Sequence, residues 1–490
     1  MALLVMGLLT VAAMSGYLLF IPKQENKLEQ QIAAFIESLP GNLTADTITV
    51  SALGKSAKIY GLRGTTHYFG SDVNVDIASL ALNGVNFTPG KGVTKIADSL
   101  IISGISITET ANPDQPQDVA QDIAIKSLEL HNVWGDLNTA ADLVGDTPLA
   151  RKIEIAAAFS AGPMRMQGYA VTMHTMLGPI ILSLDSSEAQ GASLLTGKNT
   201  VSKNLRLTAF DTDIIRLDRM SAASVKIPNI LAPLLEFMEM DLDFDTMHAL
   251  VLEKLRQEPV EMRGVVMEGF RLQLMAPEPI TINKLSMDLD AAADRLAFKK
   301  EIQGLTLPPA IYGSMSQEAR LFSKFYAQPL DLDLRKDVTL AYRSGAPVAI
   351  TINDLLIRDK NLASAQLKAE LLYTGDAQHV HSVFGSDPDD FALKNATLTL
   401  TDKALVATFL EAEFAGEVAD MREKVAQTIV ALSGFGGESF VLMAEGLAKL
   451  IRTPGTLTIT GTPELPVNLG NPRDVIVKAL KLTVDYKSSN

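Results

Sequence analysis

The stretch VNVDIASLALNGV, from Val73 to Val85, restricts the fold of this chain more than any other. Val73, Val75 and Ile77 alternate with polar residues, Leu80 and Leu82 alternate in the opposite phase, and Gly84-Val85 closes the run. Successive side chains on a strand point to opposite faces. Both halves can face one core only if the strand slips near Ala78-Ser79, through a bulge or a bend. The pattern returns along the chain. It ends as Ile59-Tyr60-Gly61-Leu62, as Ile102 to Gly104-Ile105, as Leu130 to Asn132-Val133 and as Met267 to Gly269-Phe270. It also returns at Ile352, Leu355, Ile357 and Asp359. The gaps between the units are unequal, which argues for hairpins of different length and against a fixed-length solenoid. The expected architecture is a meandering antiparallel sheet, twisted, bent at the slips and apolar on one face.

Ala2 to Ile21 carries no charge and ends at Pro22-Lys23. At 1.5 Å per residue such a run spans a hydrocarbon core of about 30 Å. A cleaved signal peptide would have a shorter apolar core and a basic start, so a retained transmembrane anchor fits better. An apolar circumference on all sides also argues against a core helix of a globule. Leu28, Ile32, Phe35 and Ile36 then follow at helical spacing, and Pro40-Gly41 stops them. This segment reads as a short amphipathic stalk.

The remainder reads as strands with helical interruptions. Further strands are expected near Val171 to Leu184, Leu205 to Leu217, Thr281 to Leu289, Leu330 to Leu334 and Leu393 to Leu400, and from Leu480 to Tyr486. Helical stretches are expected within Leu137 to Ala158, Met247 to Arg256, Ser314 to Ala327 and Gly416 to Ile451. The last is broken at Gly434-Phe435-Gly436-Gly437, which reads as a helical hairpin or a kink. The expected fold class is mainly β with some α. A transmembrane helix precedes a long, bent antiparallel sheet in two lobes, with a C-terminal helical hairpin. In residue terms, 1–22 form the anchor, 23–40 the stalk, 41–228 the first lobe and 229–490 the second, with the helical region at 416–451.

Composition removes several classes of function. A net charge of −14 without a basic stripe excludes a nucleic-acid partner. The absence of Cys removes disulfides, thiolate catalysis and Cys-ligated metals, and is compatible with an oxidising compartment. Gly191 to Asn199 imitates a phosphate loop, but has one residue too many between its glycines and Asn199 in place of the magnesium-binding hydroxyl. It reads as a surface loop. His379-Val380-His381 puts two imidazoles on one strand face without a third metal ligand. Asp241, Asp243 and Asp245 imitate half of a calcium loop, but Thr246 and Leu252 stand where Gly and Glu are needed. Asp387-Pro388-Asp389-Asp390 reads as a turn before a strand. The methionines from Met238 to Met267 read as core more than as a lipid-contacting surface. No nucleophile elbow and no carboxylate pair in a pKa-splitting context occurs. No enzyme, no cofactor and no metal is therefore expected.

Three features together resemble the AsmA-like envelope proteins of Gram-negative bacteria. These are the single N-terminal anchor followed by a short helix, the strand endings Ile59-Tyr60-Gly61-Leu62 and Gly84-Val85, and the closing helix. That helix leads into Thr453-Pro454-Gly455-Thr456-Leu457-Thr458-Ile459, with Pro463 and Pro466-Val467 beyond it. The resemblance implies a single-pass inner-membrane anchor and a periplasmic β-rich body. It also implies an apolar sheet face associated with phospholipid movement or outer-membrane homeostasis, and it carries no catalytic residue. The expected partners are the inner membrane and a phospholipid or other apolar envelope ligand. The expected groove is lined by residues such as Ile77, Leu80, Leu82, Leu100, Ile102, Leu128 and Leu130. The alternative is a non-enzymatic scaffold whose partner is another envelope protein.

Overall fold

The computed structural model describes residues 29, 42–51, 55–68, 71–85, 92–109, 121–136, 151, 157–175, 178–193, 195–227, 260–274, 277–292, 294–314, 319–320, 323, 326–377, 383, 387–414, 418–433 and 437–489. The described chain is mainly β, and all its registered strand pairs are antiparallel. The anchor at 1–22 lies outside the described residues, as does the stalk at 23–40 apart from Glu29. Among the described residues no helix is long and apolar enough to cross a membrane. The chain divides into two compact units, Met1–Met267 and Glu268–Asn490. The lobe boundary expected at 228/229 falls at the start of residues 228–259, which lie outside the described residues, as do the strand expected at Glu239 to Asp245 and the helix expected at Met247 to Arg256.

The first unit is a meander. Its strands are β1 (Thr47–Val50), β2 (Ser56–Tyr68), β3 (Ser71–Asn83), β4 (Thr94–Glu109), β5 (Gln121–Gly135), β6 (Ser160–Ala161), β7 (Met164–Thr175), β8 (Gly178–Ala189), β9 (Gly191–Ser193), β10 (Thr196–Ala209) and β11 (Thr212–Lys226). Long strands pair in the order β1-β2-β3-β4-β5-β7-β8-β10-β11. The strand expected at Val171 to Leu184 is in fact a hairpin, β7 and β8, and that at Leu205 to Leu217 is another, β10 and β11. The second hairpin turns on Phe210 and Asp211, whose φ values of +53° and +60° are those of a two-residue primed turn. Neither residue is a Gly or Asn, so the usual turn signal is missing from the sequence.

The slip in the apolar phase is made at one level by β2, β3, β4, β5, β7, β8, β10 and β11. Tyr60 pairs with Ser79 and Leu62 with Ile77, so Gly61 lies opposite Ala78 without a change of register. Gly104 likewise lies opposite Ala78 on one side and Lys126 on the other. Gly168 lies opposite Lys126 and Asp185, and Asn204 opposite Asp185 and Asp218. Every second strand thus places a left-handed residue in one row: Gly61, Gly104, Gly168 and Asn204, with φ of +59°, +62°, +61° and +53°. That conformation is open to Gly and tolerated by Asn. Each strand gives up one residue to the row, so i and i+3 face the same side in all of them. Ile59 and Leu62, Ile77 and Leu80, Ile102 and Ile105, and Ile125 and Leu128 are all buried.

The second unit repeats the meander with different devices. Following β12 (Val260–Leu272), it contains β13 (Ile280–Ala291), β14 (Arg295–Leu307), β15 (Leu330–Ala341), β16 (Val348–Asp359), β17 (Ala363–Tyr373), β18 (Phe391–Asp402), β19 (Gly455–Pro463), β20 (Val467–Asn468) and β21 (Leu480–Ser488). Register shifts lie between Ile302 and Leu305, between Asp337 and Val338, and between Glu370 and Leu371. From β14 to β18 bulges make the slip, while Gly304, at φ +62°, passes Asn283 of β13 without a change of register, as in the first unit.

A short helix, α1 (Pro309–Tyr312), follows β14. Between β18 and β19 stand α2 (Leu405–Phe414), α3 (Val418–Ser433) and α4 (Glu438–Arg452), and α5 (Arg473–Ala479) precedes β21. The helical region expected at 416–451 contains α3 and α4, and α2 was not foreseen. Asp402 caps α2 by accepting from the Val406 N–H at 3.1 Å. Arg452 at the end of α4 donates to Glu423 of α3 at 2.7 Å. Gly446 lets α4 lie close on the sheet, because a Cβ there would meet Val484 and Leu457.

A Cβ on Gly104 would stand 2.8 Å from the Ala78 Cβ, in addition to its positive φ. Gly104→Ala is expected to destabilise the first unit by roughly 1–3 kcal/mol, read as an earlier urea transition. Adding Ala78→Gly removes the contact but not the backbone strain. A double-mutant cycle is therefore expected to show a favourable coupling between the two sites, and zero coupling would mean that contact across the row plays no part.

Candidate functional site

The groove residues expected from the sequence lie together, stacked across three strands of the first unit. Leu82 pairs with Leu100, which pairs with Leu130; Leu80 pairs with Ile102, which pairs with Leu128; Ile77 pairs with Ile105. Six of the seven are buried, from Ile102 at 0% exposure to Leu82 and Leu128 at 3%, and Leu130 is half-buried. Their shared face is covered, and their packing is that of a core.

An open apolar face occurs instead in the second unit. A trough of about 470 Å³ runs over β14 to β18, floored by Ile302, Leu334, Leu355, Ile357, Leu367 and Leu398. Leu355 and Ile357 are 44% and 52% exposed. Bulges place these side chains on one face: Ile352 pairs with Ala369, and Leu355 with Leu367, with one residue more on β16 than on β17. The same face is closed to either side. Along the strands it runs into a buried cluster of Leu340, Val348, Ile350, Tyr373 and Val383, against which Phe391 packs with its ring 5.6 Å from that of Tyr373. Across the strands, α4 lies on β19 and β21.

Two lysines interrupt the trough. Lys300 pairs directly with Lys336 across β14 and β15, and Lys336 pairs with Leu355. Both line the trough. The Lys336 ammonium stands 5.5 Å from the centre of the Phe298 ring, a cation–π contact. Among the described residues neither lysine pairs with a carboxylate.

The reverse side of the same strands is charged, and among the described residues Arg335, Arg358 and Lys360 each meet a carboxylate there. Arg335 donates to Asp354 at 2.9 Å and to Glu301 at 3.1 Å. Arg358 donates to Asp333 at 2.6 Å, and Lys360 to Asp331 at 2.8 Å. Asp333 also accepts the Gly304 backbone N–H at 2.9 Å, which satisfies the amide that the β14 bulge leaves unpaired. Burial opposes ionisation of Asp333, but the Arg358 guanidinium, the Gly304 N–H and Lys360 outweigh it and hold its carboxyl below the usual range. Glu301 is also held low, by the Gln303 amide first and by Arg335 against the effect of burial.

The other motifs carry no chemistry in the described structure. Gly191 to Asn199 lies within a β9–β10 hairpin, flanked by strand on both sides, where a phosphate loop runs into a helix. Asp387 accepts the Asp389 N–H in a short 3₁₀ turn ahead of β18. His379 and His381, and Asp241, Asp243 and Asp245, lie outside the described residues, as do the methionines from Met238 to Met247. Among the described residues no group of three or more His, Asp or Glu is placed to hold a metal ion. No family model matches the chain, and neither does any curated protein.

Because Asp333 and Glu301 titrate low when folded, their contribution is present at neutral pH. It is lost as the pH falls through their folded pKa values, which lie beneath the ordinary carboxylate range. Asp333→Asn keeps an acceptor for Gly304 but loses the charge facing Arg358. It is expected to cost about 1–2 kcal/mol at pH 7 and progressively less as the pH is lowered beneath the ordinary carboxylate range, measured by urea unfolding of the second unit across a pH series.

Proposed function

We propose that this chain is a non-enzymatic, membrane-anchored envelope protein with its body in the periplasm, and that it handles lipid-like ligands on the apolar trough of its second unit. The observation that carries the reading is the trough itself. Two large aliphatic side chains, Leu355 and Ile357, stand about half exposed on an apolar floor whose surroundings are packed. Its volume falls within the roughly 300–1,000 Å³ of ordinary small-molecule sites. Burying the exposed halves of two such side chains against a ligand contributes about 1–3 kcal/mol, before the rest of the floor is counted. The uncharged run from Ala2 to Ile21 supports the anchor. The resemblance to AsmA-like proteins supports the compartment and the class of ligand.

The first-unit residues from Ile77 to Leu130 have no such opening, so the reading rests on the second unit. Native mass spectrometry of the full chain, released gently from detergent, is expected to show a retained lipid-sized adduct. Ile357→Asp puts a carboxylate on the trough floor without touching the core cluster, and is expected to reduce adduct occupancy at least about fivefold. An adduct-free wild type, or an adduct indifferent to Ile357→Asp, would remove the trough as the site.

A scaffold that binds another envelope protein is the second reading. The tip of the α3–α4 hairpin favours it, because Leu432, Phe440 and Leu442 are exposed there.

A further inference from the structure

We infer that the trough is built for a single-chain anionic amphiphile, a long-chain fatty acid, with its carboxylate at Lys300 and Lys336 and its alkyl chain along Leu334, Leu355, Ile357 and Leu367. The inference rests on the trough being a ligand site at all. It adds the head group and the number of chains.

The head group follows from the contrast between the two sides of the same strands. On the charged side Arg335, Arg358 and Lys360 each meet a carboxylate within 3.1 Å. On the trough side Lys300 and Lys336 stand directly opposite each other, with no carboxylate partner among the described residues. Like charges directly opposite each other across a strand pair are destabilising. Their cross-strand and same-face neighbours Met287, Phe298, Ile302, Leu334, Val338 and Leu355 are all apolar. An anion set between the two ammonium groups relieves the repulsion and finds two donors. The chain as a whole is acidic, at −14. That long-range repulsion is screened beyond about 8 Å at physiological salt, so the local pair decides.

The number of chains follows from volume. A methylene occupies about as much space as a water molecule, roughly 30 Å³. The trough, of about 470 Å³, is therefore on the scale of one alkyl chain.

The test uses the full chain in a non-ionic detergent, loaded with the fluorescent fatty acid cis-parinaric acid. The probe is displaced in parallel by palmitate, by hexadecanol and by phosphatidylglycerol. Palmitate is expected to displace it at about tenfold lower concentration than hexadecanol, which has the same chain without the charge. The double variant Lys300→Gln/Lys336→Gln is expected to bring the two within about threefold, by weakening palmitate and the equally anionic probe but not hexadecanol. Lys300→Arg/Lys336→Arg is expected to retain the difference. Equal displacement by palmitate and hexadecanol from the wild type overturns the lysine assignment and leaves the apolar trough standing. Stronger displacement by phosphatidylglycerol than by palmitate overturns the single-chain assignment. Probe binding that is unchanged in Ile357→Asp overturns the trough as the site, and with it both assignments.

Discussion

The described strands of the first unit depend on a row of residues in the left-handed region. An ordinary bulge adds a residue to one strand and throws its neighbours out of register. Here Gly61, Gly104, Gly168 and Asn204 take the positive φ on alternate strands, while Ala78, Lys126, Asp185 and Asp218 cross them. Residue counts stay equal on both sides of each pairing where it crosses the row. Long strands can therefore change which face each side chain takes without losing a ladder of hydrogen bonds. The cost is steric, because each glycine lies under a neighbouring side chain and leaves no room for a Cβ of its own.

The second unit reaches the same end by bulges, and the difference matters for what the surface can do. Its bulges free backbone amides that need partners. Asp333 takes the Gly304 amide, and its position then brings Arg358 to the same side. The charged ladder on that side ties β14, β15 and β16 together through side chains that reach across two strands, as Arg335 does between Glu301 and Asp354. A sheet tied from behind can leave part of its apolar side uncovered. In the first unit, where the described strands have no comparable ladder of half-buried ion pairs, the apolar side is closed over Ile77, Leu100 and Ile102.

Much of the fold was legible because the left-handed row leaves a mark in the sequence. Apolar-x-Gly-apolar at Ile59 to Leu62 and at Ile102 to Ile105 is that row seen from one strand. The crossing strands carry Ala, Lys or Asp at the same level, so they show only a change of apolar phase, which is plain at Ala78 of β3 but lost in β8 and β11, where mostly polar and small residues follow Asp185 and Asp218. This is why β8 and β11 merged with their neighbours in the sequence reading, and Phe210-Asp211 gave no sign of a turn. The candidate site was legible only in part. Alternation tells which side chains share a face, and it grouped Ile352, Leu355 and Ile357 correctly. It does not tell whether anything lies over that face. Coverage is set by α4 and by the Tyr373–Phe391 cluster with Val383, all distant in sequence. The same limit placed the expected groove at Ile77 to Leu130, which is as apolar as the trough but packed.

Lys300 and Lys336 also bear on why an open apolar strip is tolerable. Flat apolar sheet surfaces invite stacking against a second copy, and charges facing inward on the strip are one way that natural sheets resist it. Two copies laid trough to trough would bring four ammonium groups together in a medium of low polarity, where their repulsion is strongest. A lone hydrocarbon surface would gain nothing from the lysines. An amphiphile with an anionic end gains from both the floor and the charges. The pair thus disfavours self-association and favours a small anionic occupant by one electrostatic term, and the sign of that term is set by residues that the packing of the sheet does not require.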